Sequence, residues 1–195
     1  MKRTNWESKI LAAIFLITAG APAAFAGELY RFDQAQSKIA FKIHHFVGVT
    51  GGKFTRFSGE IDLDREHPEQ SSVKAKIDVR SIDTGIRKRD DHLCSQEFFN
   101  VAKFPEITFR TRSVKRTAPQ SGDIMGDLTM HGVTKAVTLH AKLIDQTGER
   151  TRWSVTTDPL QRREFGLMFG KTAEAVSGIG QAVTVEIEIE AAKAR

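Results

Sequence analysis

Val183-Thr184-Val185-Glu186-Ile187-Glu188-Ile189-Glu190 is the stretch that decides the fold. Val183, Val185, Ile187 and Ile189 fall on one side of an extended chain, and Glu186, Glu188 and Glu190 on the other, because successive strand side chains point to opposite faces. A helix with a period of 3.6 would scatter the same residues round its axis, so this is a strand with one dry and one wet face. The period recurs upstream. Ile39, Phe41 and Ile43 oppose Lys38, Lys42 and His44. Phe57, Ile61 and Leu63 oppose Arg56, Glu60, Asp62 and Asp64. Val73, Ala75, Ile77 and Val79 alternate with Lys74, Lys76, Asp78 and Arg80. Ile107 and Phe109 alternate with Arg110 and Arg112, and Ile124, Leu128 and Met130 follow. Val137, Leu139 and Leu143 stand against His140 and Lys142.

Breakers fall between these runs: Gly51-Gly52, His67-Pro68, Pro119 to Gly122, Gly148 and Asp158-Pro159. Thr84 to Asn100 lacks the alternation and predicts a short helix near residues 86–95, with Phe98, Phe99 and Phe104 returning to the sheet. About eight strands with one apolar side must form a sandwich or a closed barrel. Runs of about ten residues, roughly 33 Å at ~3.3 Å per residue, are long for a sandwich of this size. An eight-stranded barrel either fills its interior with side chains or keeps room for one small ligand, and the pattern is compatible with both.

The chain has 195 residues, 40% of them apolar and 27% charged, which excludes bulk disorder, collagen and a polytopic membrane protein. A single cysteine, Cys94, excludes an internal disulfide framework and a Cys-rich zinc site. Lys2, Arg3 and Lys9, the apolar run Ile10 to Ile17 and the small-x-small Ala24-Phe25-Ala26 read as a secretory signal over residues 1–26. The expectation is cleavage before Gly27, a single domain over 27–195 and a periplasmic location. Without the leader, 26 basic and 23 acidic residues remain, net +3. That is too weak to argue for nucleic acid, though it would not oppose an anionic membrane surface.

Motifs for catalysis are scarce. His44 and His45 are strand neighbours on opposite faces, His67 and His131 sit in turns, and His140 lies on a wet face, so no metal set is expected. Arg89-Asp90-Asp91-His92-Leu93-Cys94 offers a carboxylate, an imidazole and a thiol within six residues, which makes a Cys/His nucleophile conceivable. The plainer reading is a helix anchored to the barrel by its charges. Gly166 to Thr172 and Gly178-Ile179-Gly180 fail the spacing of phosphate-binding loops, and no Gly-x-Ser-x-Gly elbow occurs. No catalytic residue and no cofactor is expected. The apolar face itself remains: thirteen Phe beside one Tyr and two Trp, suited to a water-excluding interior for a long lipid chain.

The order of motifs resembles the periplasmic polyisoprenoid-binding family known as YceI-like. Phe41-Lys42-Ile43-His44-His45, Gly52-Lys53-Phe54 and Phe57-Ser58-Gly59 are similar to its opening hairpin, with His45 at the family histidine. Ser81-Ile82-Asp83-Thr84, Arg89-Asp90-Asp91-His92-Leu93, Phe98-Phe99-Asn100 and Phe104-Pro105 continue the likeness. Gly126-Asp127-Leu128-Thr129 with Gly132-Val133-Thr134-Lys135 is its most specific stretch, and Phe165-Gly166 and the strand Val183 to Glu190 complete it. Glu97 and Glu164 stand where the family has Asp, and Ser177 to Gln181 stands where a Gly-Asp pair is common. The resemblance implies an all-β, extended, lipocalin-like eight-stranded antiparallel barrel. It also implies a polyisoprenoid, isoprenoid quinone or fatty-acid-like amphiphile in the lumen, with its head near the mouth.

Alternation predicts that Phe41, Ile43, Phe57, Ile61, Ile77, Phe109, Leu128, Leu139, Val155 and Val185 face inward as the ligand-binding wall. His45, on the same face near Gly51-Gly52, is the candidate mouth residue. The expected function is a non-enzymatic carrier of a long apolar molecule, with a homodimer and a transient membrane contact left open. Two alternatives stand beside it: a filled barrel acting through surface contacts in a stress response, and a lipid-modifying enzyme using Asp90, His92 or Cys94.

Overall fold

Alternating residues on successive runs make each strand pair with the next, and the chain closes on itself. The computed structural model describes residues 27–45, 48–169 and 178–194; the leader lies outside them. Twelve strand segments among the described residues form one antiparallel sheet. They are β1 (Glu28–Phe32), β2 (Lys38–His45), β3 (Gly48–Phe54), β4 (Phe57–Leu63), β5 (Ser72–Asp78) and β6 (Ile82–Asp83), then β7 (Glu106–Ala118), β8 (Ser121–Met130), β9 (Val133–Thr147), β10 (Arg150–Thr157), β11 (Leu160–Gln161) and β12 (Ile179–Lys193). One short helix, α1 (Arg87–Cys94), follows β6.

The segments amount to eight staves of a closed barrel. β1 with β2, β3 with β4, and β5 with β6 are three long strands, each broken near its middle: β2 pairs with β3 and β1 with β4, while β4 pairs with β5 and β3 with β6. The breaks lie at one level and are stitched across. Thr55 donates its backbone N–H to the Ser81 carbonyl at 3.1 Å, and Asp78 donates to the Arg56 carbonyl at 3.0 Å. The Asp33 and Asp78 carboxylates cap the 3-10 turns Gln34–Gln36 and Val79–Ser81 that follow them. Next come the hairpins of β7, β8, β9 and β10. β12 then closes the ring along both halves of the first stave, with Val185 opposite Phe41 and Tyr30 opposite Lys193.

The long staves exceed the ten residues read from the sequence: β7 has 13, and β9 and β12 have 15 each. Bulges account for part of the difference. Irregularities in register between Thr111 and Ser113, and opposite Arg152 and Trp153, insert residues that break strict alternation without ending a strand. One segment escaped the pattern and another was only partly read. β1 carries one deeply buried residue, Tyr30 at 2% exposure, in only five, and β10 was marked by Val155 alone because Thr151 and Thr157 share the inward face with Trp153 and Val155.

The tight hairpin from β8 to β9 places His131 at φ 53° and Gly132 at φ 77°, the left-handed pair of a two-residue turn. His131 holds this unusual conformation through its ring, whose Nδ1 lies 3.1 Å from the Phe165 carbonyl and whose centre lies 4.8 Å from that of Phe104 in a T-shaped contact. One end of the barrel is capped by α1 and its continuation, with Leu93, Phe98, Phe99, Phe165 and Leu167 all buried. The other end carries the β7–β8 turn and the Asp64–Ser72 connection.

Candidate functional site

The inward faces of the staves do not meet. They enclose a cavity of about 690 Å³ running the height of the barrel, from Leu93, Phe98 and Phe169 at the helix end to Pro68, Pro119 and Gln120 at the opposite end. An apolar void of roughly 150 Å³ is enough to admit a benzene molecule, so this one is several times the size of a packing defect. Its middle is lined by side chains with nothing to offer but dispersion and exclusion of water, among them Ile61, Ile77, Val137, Leu139 and Ile187.

Of the ten inward positions predicted from alternation, the structure brings nine to the cavity wall: Phe41, Ile43, Ile61, Ile77, Phe109, Leu128, Leu139, Val155 and Val185. Phe57 is the correction. It is buried, at 7% exposure, but it packs within the side-chain core and does not reach the cavity. It is the first residue of β4, its N–H is taken by the Gln34 side chain at 3.2 Å, and it faces inward with its ladder partner Ile77, but other core side chains separate it from the void. Alternation also missed wall residues supplied by non-alternating segments: Leu93, Phe98, Phe99, Leu167 and Phe169.

The wall is polar mainly toward its two ends. At the helix end stand His45, Thr50, Thr84, Arg89 and Arg162, while Thr157 lies opposite Leu139 in the β9–β10 ladder. His45 lies at this end with Nε2 3.1 Å from Thr50 Oγ1. Arg162 is 3% exposed; its guanidinium donates to the carbonyls of Leu167 and Gly180 at 2.9 and 3.0 Å and lies 5.2 Å from the centre of the Phe169 ring. A buried cation tied to backbone carbonyls and an aromatic face pins the Leu160–Phe169 connection over the lumen. Thr157 is different, because its Oγ1 is buried, borders the cavity, and has no hydrogen-bond partner among the described residues. At the opposite end are Asp64, Arg65, Ser71, Ser72, Arg116, Gln120 and Ser121.

The helical cluster does not turn its reactive groups inward: α1 contributes Arg89 and Leu93 to the wall, while Asp90, His92 and Cys94 are absent from it. The Asp90 carboxylate accepts from the Thr84 N–H at 2.9 Å and from its hydroxyl, and Arg89 donates to Thr84 Oγ1 at 2.8 Å and to the Thr84 carbonyl at 2.9 Å. These bonds anchor the helix to β6. His92 stacks on Phe169 with ring centres 5.9 Å apart and faces Glu97 at 3.6 Å. Burial, followed by the charges of Asp90 and Asp91, pushes the Cys94 thiol above its ordinary value, the reverse of what an activated nucleophile needs. Among the described residues no group of three His, Cys, Asp or Glu gathers as a metal site would require.

A family model described as the YceI-like domain matches residues 30–191. Protein YceI of Salmonella arizonae is 41% identical over 140 residues, covering 70% of each chain, and that of Salmonella newport 40% over 139 residues, again 70% of each. Among solved structures, BcnA of Burkholderia cenocepacia superposes with a TM-score of 0.75 at 23% identity, over 82% of this chain and 98% of its own. A polyisoprenoid binding domain from Saccharophagus degradans, implicated in plant cell wall breakdown, gives 0.67 at 18% identity, over 85% of this chain and 98% of that one. Likeness at those identities concerns the fold.

Proposed function

This chain belongs to the YceI-like domain family, and from that premise we propose that it is a non-enzymatic carrier holding the hydrocarbon tail of a long-chain amphiphile inside its barrel. The observation that carries the reading is the hollow, apolar lumen of about 690 Å³. The polyisoprenoid named for the Saccharophagus degradans domain supports the same ligand class for this chain. Burial is worth ~0.8 kcal/mol per CH₂, so each five-carbon isoprene unit gains roughly 3–4 kcal/mol before ordering and association costs. A handful of units suffices for tight binding without any specific polar contact. The sequence of residues 1–26 fits export, so the proposed compartment is the periplasm, where an almost insoluble lipid needs shielding to cross water. A filled barrel acting through its outer surface is disfavoured by the open bore, and an enzymatic role by the absence of Asp90, His92 and Cys94 from the cavity wall.

The test is organic extraction of protein purified under non-denaturing conditions, followed by mass spectrometry. A stoichiometric amphiphile with a long hydrocarbon tail is expected. Protein that is empty as isolated and takes up neither an isoprenoid nor a fatty chain overturns the reading.

A further inference from the structure

The bore is open for a reason that can be located. Inward positions along a strand normally carry side chains, yet Gly52 and Gly59 occupy inward positions of β3 and β4. Neither glycine borders the cavity, because a phenylalanine ring from the neighbouring strand covers each, and both rings do border it. Phe41 stands opposite Gly52 in the β2–β3 ladder, and a methyl group at position 52 would come within 2.5 Å of Phe41 Cζ. Phe32, which continues the β1–β4 register beyond Arg31–Glu60, covers Gly59 so closely that a methyl group there would lie 2.2 Å from its ring. Phe109 lies over Gly126 in the same way, at 2.4 Å, although there the Arg110 carbonyl is just as near.

Separations below 3.0 Å mean that ring and methyl cannot coexist; the ring must swing off the strand, and with backbone behind it the free direction is the lumen. Chemistry at the wall therefore depends on the glycines twice over. They give each ring a recess, and they keep three aromatic side chains flat against the wall. We infer that Gly52 and Gly59 are bore-setting residues: by receiving the Phe41 and Phe32 rings they fix how wide a tail the lumen admits. This rests on the carrier reading and assigns the width of its lumen to two positions: a bore narrowed there burdens a wide, methyl-branched chain more than a thin, unbranched one.

The experiment uses two probes, geranylgeraniol and hexadecanoic acid, competing for the lumen against a fluorescent fatty-chain reporter. It is run on wild type, Gly59→Ala, Gly52→Ala and the double variant Gly59→Ala/Phe32→Leu. Gly59→Ala and Gly52→Ala are expected to weaken geranylgeraniol at least tenfold while changing hexadecanoic acid less than threefold, and Phe32→Leu is expected to restore the branched probe in the Gly59→Ala background. The double variant also serves if Gly59→Ala fails to fold, since it removes the clash; it must then bind geranylgeraniol within threefold of wild type. Equal effects on both probes, or no effect on either in a folded variant, overturn the inference while the carrier reading stands. If wild type binds neither probe, the carrier reading falls and takes the inference with it.

Discussion

Glu28 shows how much a single side chain does at the barrel seam. Its carboxylate accepts from Lys193 Nζ at 2.6 Å, Arg65 Nε at 2.7 Å and the Tyr30 hydroxyl at 3.0 Å, joining β1, the connection after β4 and the end of β12. The Lys193 bond first, and then Arg65, hold its pKa down to about 2 from 4.5. A depressed carboxyl pKa contributes stability above the unfolded value, and that contribution fades as pH falls from about 4.5 through about 2. Glu28→Gln should therefore lower stability by about 1 kcal/mol near pH 7, a figure reduced for solvent screening. The difference from wild type should vanish near pH 2 in denaturant titrations at stepped pH. Thr157 is the opposite case, a buried hydroxyl with no partner among the described residues. Thr157→Val should leave the unliganded protein as stable as wild type or slightly more so. It should also weaken an amphiphile with a polar head several-fold, read by calorimetry against the matching hydrocarbon, whose affinity should not change. Inward or outward orientation was legible at single positions, because strand parity is a local property; Phe57 faces inward beside Ile77 as parity demands, and what parity did not reveal is that it stops short of the void.

At the scale of elements, α1 exists by attachment. Eight residues are too few for a helix to stand alone in water, and its N-cap, Ile86, offers no side-chain hydrogen bond. The bonds from Arg89 and Asp90 to Thr84, together with buried Leu93, replace that missing stability. Asp90→Ala leaves the Thr84 N–H and hydroxyl without their acceptor and should cost about 2 kcal/mol, within the range for bonds to charged groups. Amide hydrogen exchange should rise across residues 84–95 and stay unchanged in β8 and β9. The span of this helix was readable to within a residue because alternation stops there. The breaks in the first three staves were not, since each is set by bonds to a neighbouring stave, such as Thr55 to the Ser81 carbonyl. β1 was equally hidden: its five residues gain their place by pairing with β4 and with β12, far along the chain.

At the scale of the whole molecule, the barrel is a shell around a volume, and a ligand that fills it binds the folded state alone. Ligand at one hundred times its dissociation constant adds about 2.7 kcal/mol. At ~2–4 °C per kcal/mol for a domain of this size, a bound long-chain amphiphile should raise Tm by roughly 5–10 °C, measured by calorimetry on delipidated protein with and without it. What the sequence determined by itself is the two-faced sheet: period-two alternation fixes which side of each strand is dry, and eight such strands with one dry side must pack as a sandwich or close as a barrel. What only the tertiary structure decided is that the shell is hollow. Packing is a matter of volume, and here it turns on rings from one strand settling over glycines of another, as Phe32 does over Gly59 and Phe41 over Gly52. Linear order names those residues, but only closure of the sheet brings ring and recess together.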